Sequence, residues 1–497
     1  MGAIVTAVVV SLSACATPER TSAEAALLSR ADDAVLGFAP ANAALVPGLE
    51  PTVYLDDERG VRAEVPTITT ARQLTSAMEV LRERGLREAA WAGATSVDIS
   101  YRVIASGPGT VGLMVVPTWQ GESGATTRPA LVWYDAGSKR VFSSPALIQA
   151  SQWAQFTDAV GKAAGRKVNK DRLRAALAEA PAPQGNGPML GFDARGDLVA
   201  QFAPGVLDDK DFVAITVKAD IAAPWLSELG KRAALAAQNP SVFDGSPHPA
   251  GPITDEAPPV TGADVAVQGD ARPSTAVGPD CRTLNCVALT FDDGPGSETA
   301  KLVGALATAK APATFFQLGQ MVQANPGVGK QVASAGHEIG SHSFSHPNLA
   351  QSDPARLQKE IVDNATVLSA AYGRKPMTFR PPFGAHNKTV DDVVHSTGAA
   401  IIKWDVDTLD WRTRDAAATE KAAVHSPDLK PGSIVLMHDI HPSTVAAVPA
   451  ILAGLQAKGV TLVTVSELSL NGEAGYRAGR AYCHGTFRAA SGSFCAG

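Results

Sequence analysis

Short apolar segments alternate with helical patterns throughout the C-terminal part of this 497-residue chain. Seven segments have the length and composition of buried strands, and they cover residues 287–291, 313–318, 338–341, 377–380, 400–406, 433–437 and 461–465. Strands that alternate with helices favour a parallel sheet. We therefore predict an α/β fold for residues 281–470, a distorted (β/α) barrel, with a doubly wound open sheet as the alternative.

The longest helical pattern of this region covers residues 353–372. Asp353 is suited to the N-cap, Pro354 to the first turn, and Gly373 to the position that ends the helix. The apolar face of the pattern carries Leu357, Ile361 and Leu368. We predict one helix that packs on the sheet with this face.

Residues 31–237 mix helical and strand patterns. We predict helices at 71–84, 146–164 and 224–236, and strands at 96–105, 110–119, 130–134, 197–202 and 212–217. The segment contains no histidine and no cluster of carboxylates at metal-ligand spacing. We therefore interpret it as a separate α+β accessory domain that binds, positions or spaces and does not catalyse.

Residues 238–280 separate these two regions. They are rich in Pro, Gly, Ala and acidic residues and have little apolar periodicity, which is typical of an extended linker. A chain of 497 residues is also too long for one hydrophobic core.

The formal net charge of −6 and the lack of Lys and Arg clusters argue against binding to nucleic acid or to an anionic membrane surface.

An apolar run at residues 4–12 is followed by Ser13, Ala14 and Cys15. Small residues before a cysteine resemble the cleavage and lipidation site of a bacterial lipoprotein signal peptide, although no basic residue precedes the run. The run is too short to span a bilayer as a helix. We predict a signal peptide at residues 1–15 and an exported protein, held at the cell membrane only by a lipid on Cys15 and facing the cell wall.

The cysteine count agrees with export. If Cys15 is lipidated, four cysteines remain, which permit three pairings. Closeness in sequence favours Cys281 with Cys286 and Cys483 with Cys495, so that the tail 471–497 is closed by a disulfide. Four free, buried thiols are the alternative, and the lack of a CxxC spacing argues against metal binding by these residues.

Residues able to bind metal or transfer protons follow five of the predicted strands. In a (β/α) barrel, the active site lies at the carboxyl ends of the strands. Apolar strands have no structural need to end in metal-binding or proton-transferring residues. Because such residues recur at five strand ends, we expect an active site at this edge of the barrel. The positions are Asp292 and Asp293; His342 and His346; Arg380; Asp407, Asp410 and Trp411; and His438 and Asp439.

The spacing of His342 and His346 brings two imidazoles within reach of one ion on a helical turn. Such a pair alone is more often structural, and adjacent carboxylates such as Asp292 and Asp293 alone can form a polar turn. Together, two histidines and one carboxylate are a common catalytic zinc set that leaves a position open for water.

Five motifs of this region resemble those of the polysaccharide deacetylase family, carbohydrate esterase family 4, also called the NodB homology domain. They occur in the family's order over about 190 residues. The motifs are TFDDGP (290–295), HSFSH (342–346), RPPF (380–383), DTLDW (407–411) and LMHD (436–439).

The resemblance implies a metal-dependent hydrolase in a (β/α) barrel. One divalent metal ion, expected to be zinc, would be bound by Asp293, His342 and His346. Asp292 would be the general base that takes a proton from the attacking water. Arg380 would hold Asp292 in place and ionised.

The resemblance also implies the groups that act on the substrate. His438 would be the general acid on the departing amine, with its charge supported by Asp410. The backbone N–H near Phe383 would contribute to the oxyanion site. Trp411 and Leu436 would line the small pocket for the acetyl methyl group.

On this resemblance we expect hydrolysis of N-acetyl groups from an N-acetylglucosamine-containing glycan strand, with peptidoglycan favoured. Alternatives of the same class are a deacetylase for a chitin-like or poly-N-acetylglucosamine polymer and an O-acetyl xylan esterase. A third alternative is a non-catalytic wall-binding lipoprotein, but such a protein should have lost a metal ligand or the acid, whereas every position is filled here.

Overall fold

The computed structural model describes residues 32–166, 168–253, 272–470 and 475–485. The predicted signal peptide with Cys15 lies outside these ranges, as does Cys495. Within them, no helix combines the length and the apolar character needed to cross a membrane.

The C-terminal region forms one sheet in which all recorded strand pairs are parallel. Its strands are β1 (Cys286–Asp292), β2 (Thr314–Gln317), β3 (Glu338–Ser341), β4 (Thr378–Phe379), β5 (Ala400–Ile402), β6 (Val406–Asp407), β7 (Ile434–His438), β8 (Thr461–Val463) and β9 (Ala481–Tyr482). Neighbours follow the order β6-β7-β1-β2-β3-β4-β5-β9, and β8 also pairs with β1. Strands β1 to β5 are neighbours in chain order, and β7 returns to the other side of β1. This confirms the distorted (β/α) barrel and not the doubly wound alternative.

The predicted strand 400–406 is wrong in one respect, because it is two strands, β5 and β6. The N–H of Lys403 donates to the carbonyl of Tyr482 in β9 at 2.7 Å. Two residues later, the N–H of Asp405 donates to the carbonyl of Ile434 in β7 at 3.2 Å. Between Lys403 and Asp405 the backbone therefore stops pairing with β9 and begins to pair with β7. This change of pairing strand divides the predicted strand into β5 and β6.

The predicted helix 353–372 begins and ends as expected. The Asp353 side chain accepts from the N–H of Arg356, and Gly373 has the left-handed φ of 71° that ends helices. Its three predicted core residues are buried: Leu357, Ile361 and Leu368. The interior differs from the prediction, because two α-helical parts flank a π-helical turn: Pro354–Leu357, Gln358–Asp363 and Asn364–Tyr372.

Further helices lie between the strands and cover the outside of the sheet. They are Thr299–Thr308, Gly319–Ala324, Pro326–Ser334, Lys388–Thr397, Asp410–Thr413, Ala416–His425, Pro442–Ala457 and Val465–Leu470. Their apolar faces join the sheet in cores that contain the fully buried Phe291, Phe315 and Phe316.

The N-terminal region is an α+β structure, as predicted, but it contains two sheets. The larger sheet is mixed and comprises Leu49–Asp56, Val61–Ile68, Ser96–Gly107, Thr110–Gly121, Gly124–Thr127, Ala130–Asp135 and Arg140–Ser143. The smaller sheet is antiparallel and comprises Met189–Phe192, Leu198–Phe202 and Val213–Val217. The helices are Arg72–Trp91, Trp153–Ala163, Lys170–Leu177, Ala219–Ala222 and Glu228–Gln238.

The predicted helix 146–164 is wrong in its first half. Two 3-10 turns, Ser144–Leu147 and Ala150–Gln152, precede the helix Trp153–Ala163. Between these turns, Ile148 forms an isolated antiparallel bridge with Leu226. This long-range pairing satisfies backbone groups that a continuous helix would have used.

The helix Arg72–Trp91 joins the N-terminal region to the barrel. The buried carboxylate of Glu467 accepts hydrogen bonds from Arg84 at 2.9 Å and from Arg87 at 2.7 Å. Arg87 also donates to the carbonyl of Gly336, which precedes β3. The helix therefore lies at the amino end of β3, whereas the predicted chemistry lies at the carboxyl ends of the strands. Further buried ion pairs of this interface join Arg374 to Glu79 and Glu83.

The described flanks of the predicted linker pack on the N-terminal region. Phe243 is fully buried, and its N–H donates to the carbonyl of Leu45 at 2.8 Å. Arg272 donates to the carbonyl of Ile148 at 2.6 Å. The boundaries 238–280 remain a prediction.

One of the two favoured disulfides is confirmed, since Cys281 is bonded to Cys286, the first residue of β1. Cys483 is also disulfide-bonded, and its predicted partner Cys495 lies outside the described residues. Disulfides persist in oxidising compartments, so this bonding is consistent with an extracellular location.

Candidate active site

The carboxyl ends of four barrel strands bring the predicted catalytic residues to one rim. Asp292 ends β1 and lies in register with His438, which ends β7. His342 directly follows β3, and its N–H donates to the carbonyl of Gln317. Arg380 directly follows β4. The parallel pairing of these strands therefore assembles residues that are up to 146 positions apart in sequence.

Three side chains form a group that could hold a metal ion: Asp293, His342 and His346. The Oδ1 atom of Asp293 lies 3.5 Å from Nε2 of His342 and 3.4 Å from Nε2 of His346. Ligand atoms about 2.0–2.1 Å from a tetrahedral ion are roughly 3.3 Å apart. Asp293 Oδ1 is buried and has no hydrogen-bond partner within the part of the chain that the structure describes. The geometry and the unpaired oxygen fit a bound divalent cation.

A hydrogen bond of its ring and its burial prepare His342 to bind a metal ion. Its Nδ1–H donates to the backbone carbonyl of Arg380 at 2.7 Å, which directs Nε2 towards Asp293. Burial lowers the pKa of His342 to about 3, so the ring is neutral at physiological pH. Neutral imidazole is the form that binds metals.

The loops that carry Asp293 and His346 have unusual backbone conformations. Asp293 has φ 77° and His346 has φ 62°, both in the left-handed region. In the Asp293 loop, a Cβ added to Gly294 would lie 2.1 Å from Oδ2 of the buried Asp439. The same Oδ2 accepts a hydrogen bond from Thr299 at 2.5 Å, which fixes the Asp439 carboxylate against the loop. Position 294 therefore requires glycine.

Arg380 anchors Asp292, the neighbour of the metal group. The guanidinium is fully buried and donates to Asp292 Oδ1 at 2.8 Å and to the Thr290 hydroxyl at 2.7 Å. Its other nitrogens donate to the carbonyls of Ile402 and Lys403. Burial raises the pKa of Asp292, while the charge and hydrogen bond of Arg380 act in the opposite direction. A raised pKa brings a carboxylate closer to the range useful for a general base.

His438 is held by the buried carboxylate of Asp410. The Nδ1–H of His438 donates to Asp410 Oδ1 at 2.9 Å, and its backbone N–H donates to Oδ2 at 2.8 Å. Burial opposes the charged form of His438, but the hydrogen bond to Asp410 and the charges of Asp292, Asp410 and Asp293 raise its pKa to about 9. The imidazolium is thus the main form at neutral pH, and Nε2 is left to exchange a proton.

The predicted substrate contacts differ in exposure. Phe383 is 67% exposed, has φ 60°, and its ring lies 4.7 Å from that of His346. Trp411 is 46% exposed, whereas Leu436 is buried in β7 between its neighbours. Phe383, whose ring contacts that of His346, and Trp411, which directly follows Asp410, are exposed aromatic rings of the type that packs on sugar rings.

Two supporting residues escaped the sequence-based prediction. Thr444 donates to Asp410 Oδ2 at 2.7 Å and completes the hydrogen bonds of that carboxylate. Glu360 accepts from the backbone of the loop between His342 and His346. Neither follows a strand, so the strand-end signal could not find them. Asp407, a predicted strand-end residue, instead accepts from the N–H of Leu409 and caps its loop.

The profile of the family described as polysaccharide deacetylase matches residues 280–402. A peptidoglycan-N-acetylglucosamine deacetylase of Bacillus cereus is 37% identical over 188 residues, which cover 37% of this chain and 87% of that relative. The peptidoglycan-N-acetylglucosamine deacetylase PgdA of Listeria monocytogenes is 40% identical over 192 residues, which cover 38% of this chain and 40% of the relative. The match therefore spans less than half of the Listeria protein.

Among solved structures, the family 4 carbohydrate esterase from Streptomyces lividans in complex with acetate is 34% identical. The alignment covers 39% of this chain and 96% of that chain, with a TM-score of 0.36.

Proposed function

The chain belongs to the polysaccharide deacetylase family, and on this premise we propose that it hydrolyses N-acetyl groups of a cell-wall polysaccharide that contains N-acetylglucosamine. Peptidoglycan is the proposed substrate and acetate the product. The observation that carries the proposal is the arrangement of Asp293, His342 and His346 beside the anchored carboxylate of Asp292. An imidazolium, His438, lies in register with Asp292 on the next strand.

The proposed reaction divides the work among these side chains. Asp293, His342 and His346 would hold a divalent ion, proposed to be zinc, which would supply Lewis-acid chemistry to the amide carbonyl and to water. Asp292 takes the proton of the attacking water, and Arg380 keeps that carboxylate oriented.

His438 completes the reaction on the side of the leaving group. An amine leaves poorly unless it is protonated, and Nε2 of His438 provides the proton while Asp410 stabilises the charge of the ring. The backbone N–H near Phe383 is proposed to stabilise the oxyanion. Trp411 and Leu436 are proposed to receive the acetyl methyl group. Amide hydrolysis needs both a base for the attacking water and an acid for the departing amine.

Replacement of Asp410 by Asn is expected to move the alkaline limb of kcat/KM to lower pH. His438 must be protonated to act as the acid, and its pKa of about 9 depends on the Asp410 carboxylate. Loss of one adjacent negative charge should shift this limb by roughly 1 to 3 pH units. The measurement is a pH profile of acetate release under kcat/KM conditions.

Asp415→Asn is the matched control for this prediction. Asp415 is an exposed aspartate that caps the helix Ala416–His425, and asparagine can keep that cap. Its profile should coincide with that of the wild-type protein. An unchanged alkaline limb in Asp410→Asn would contradict the assignment of His438 as the acid.

The choice of peptidoglycan rests on the proposed location and on the named relatives. Two relatives from different bacteria carry names that specify peptidoglycan N-acetylglucosamine. A lipid on Cys15 would keep the site next to the cell's own wall. A chitin-like or poly-N-acetylglucosamine polymer and O-acetylated xylan remain the alternative substrates, and glycan binding without catalysis is the alternative function.

The deciding experiment measures acetate released by the purified protein from peptidoglycan, from N-acetylglucosamine oligomers and from acetylated xylan. Each substrate is tested with the protein as purified, after chelator treatment, and after zinc is added back. We expect release from the N-acetylated substrates, loss with chelator and recovery with zinc. Mass spectrometry of the glycans then identifies the deacetylated sugar.

Three results would change the proposal. Release from acetylated xylan alone would identify an O-acetyl esterase. Release from the oligomers but not from peptidoglycan would favour a chitin-like polymer. Glycan binding without any release of acetate would identify a non-catalytic binding protein.

A further inference from the structure

The loop between the two predicted histidine ligands is held from one side by the π-helical turn Gln358–Asp363. Glu360, within this turn, is 2% exposed. Its Oε2 accepts the N–H groups of Phe344 at 3.0 Å and Ser345 at 2.8 Å, and its Oε1 accepts the Ser345 hydroxyl at 2.6 Å. A single buried carboxylate thus receives three hydrogen bonds from the loop.

Asn364, four residues after Glu360, holds the start of the same loop. Its side chain is fully buried, and its Nδ2 donates to the Ser341 hydroxyl and to the Ser343 carbonyl, both at 2.9 Å. A Cβ added to Gly319 would lie 1.9 Å from Oδ1 of Asn364, so glycine is required there. Glu360 and Asn364 together make five hydrogen bonds to residues 341–345.

The loop requires this support because its backbone is strained. Ser343 has φ 71° and His346 has φ 62°, and neither residue is a glycine. Non-glycine residues in the left-handed region are strained and persist where the surrounding structure holds them. His342 has a separate anchor in the carbonyl of Arg380, whereas the position of His346 depends on the loop.

The spacing of Glu360 and Asn364 explains how one helix supplies both side chains, because residues four positions apart lie close to the same helix face. A π turn contains more residues than an α turn, and such turns occur frequently at functional sites. The turn lies between Pro354–Leu357 and Asn364–Tyr372, which pack on the core. From this turn Glu360 contacts the loop, and the apolar residues Leu357, Ile361 and Leu368 of the same helix are buried.

We infer that Glu360 and Asn364 are positioning residues that set the metal affinity of the site by holding the loop 343–346 in its strained conformation. The inference rests on the proposed metal site. Groups that orient metal ligands commonly contribute about 10–100-fold to metal affinity. We expect the side-chain length of Glu360 to affect metal affinity more than its charge does, because one of its oxygens must accept two backbone N–H groups at once.

The test compares two conservative variants of Glu360. Glu360→Asp keeps the charge but shortens the side chain, and we expect the zinc dissociation constant to rise about 10–100-fold. Glu360→Gln keeps the length and an acceptor oxygen but loses the charge, and we expect a rise of at most about tenfold. The constants are measured by competition between the apoprotein and a chromogenic zinc chelator.

Gln358→Ala is the matched control, since Gln358 is an exposed residue of the same π turn. It should bind zinc like the wild-type protein. Melting temperatures of the metal-free proteins are recorded in parallel, to separate loss of affinity from loss of fold. If Glu360→Asp does not fold, Ser345→Ala, which removes one of the three hydrogen bonds to Glu360, should still weaken zinc binding measurably.

Two outcomes would overturn the inference. Zinc binding by Glu360→Asp or Ser345→Ala that equals that of the wild type would show that the loop needs no such support. A larger loss in Glu360→Gln than in Glu360→Asp would show that charge, and not positioning, is responsible. A wild-type protein that binds no zinc would instead contradict the proposed function itself, so the two failures are distinguishable.

Discussion

Replacement of Asp292 by Asn is expected to leave zinc bound while acetate release falls by about 10²–10⁴-fold, the usual contribution of a general base. Asparagine has the same shape and can still accept the hydrogen bond of Arg380 through its Oδ1. It cannot take a proton from water. The three residues grouped for the metal do not include Asp292, so the metal content should stay close to one ion per chain.

The adjacent aspartate provides the matched comparison. Asp293→Asn replaces a predicted metal ligand by a weaker one, and we expect it to lose both zinc and activity. Zinc is measured by elemental analysis of the dialysed proteins, and turnover by acetate release from N-acetylglucosamine oligomers. Full activity in Asp292→Asn would mean that the roles of the two aspartates are assigned wrongly.

Replacement of His342 by Ala is expected to abolish zinc retention and to reduce turnover to the level of the chelated wild-type protein. His342 is 2% exposed and its Nε2 lies near the carboxylates of both Asp292 and Asp293. Its removal takes away a ligand and also leaves the carbonyl of Arg380 without its hydrogen bond.

Zinc content and acetate release are measured on the same preparations of His342→Ala. His425→Ala serves as the control, because His425 is exposed and lies outside the group of three. It should retain both zinc and activity. Stoichiometric zinc in dialysed His342→Ala would remove His342 from the ligand set.

Most of the barrel strands were predictable because they are short apolar runs, five of which have chemically active polar endings. Strand β3 coincides with the predicted segment 338–341, since Gly336 and His342 bound it on both sides. The grouping of Asp293 with His342 and His346 follows from the same logic, because parallel strands place their carboxyl ends at one rim.

Features that depend on long-range partners were not predictable from local pattern. Strand β9 contains two residues and exists through its pairing with β5. The strand Leu49–Asp56 and its neighbour Val61–Ile68 each include a proline and charged residues, which obscure the alternation expected of a strand. The π turn was hidden as well, because its flanking residues keep the apolar spacing of an ordinary helix.

The short strand β9 links the end of the described chain to the carboxylate of Asp292. The carbonyl of Tyr482 receives the N–H of Lys403, the carbonyl of Lys403 receives Arg380, and Arg380 holds Asp292. Three successive contacts therefore connect a residue next to a disulfide-bonded cysteine, Cys483, with the proposed proton acceptor. A version of this enzyme that ends at residue 470 would lack β9. It would therefore lose the hydrogen bond that holds Lys403, whose carbonyl in turn holds Arg380 next to Asp292.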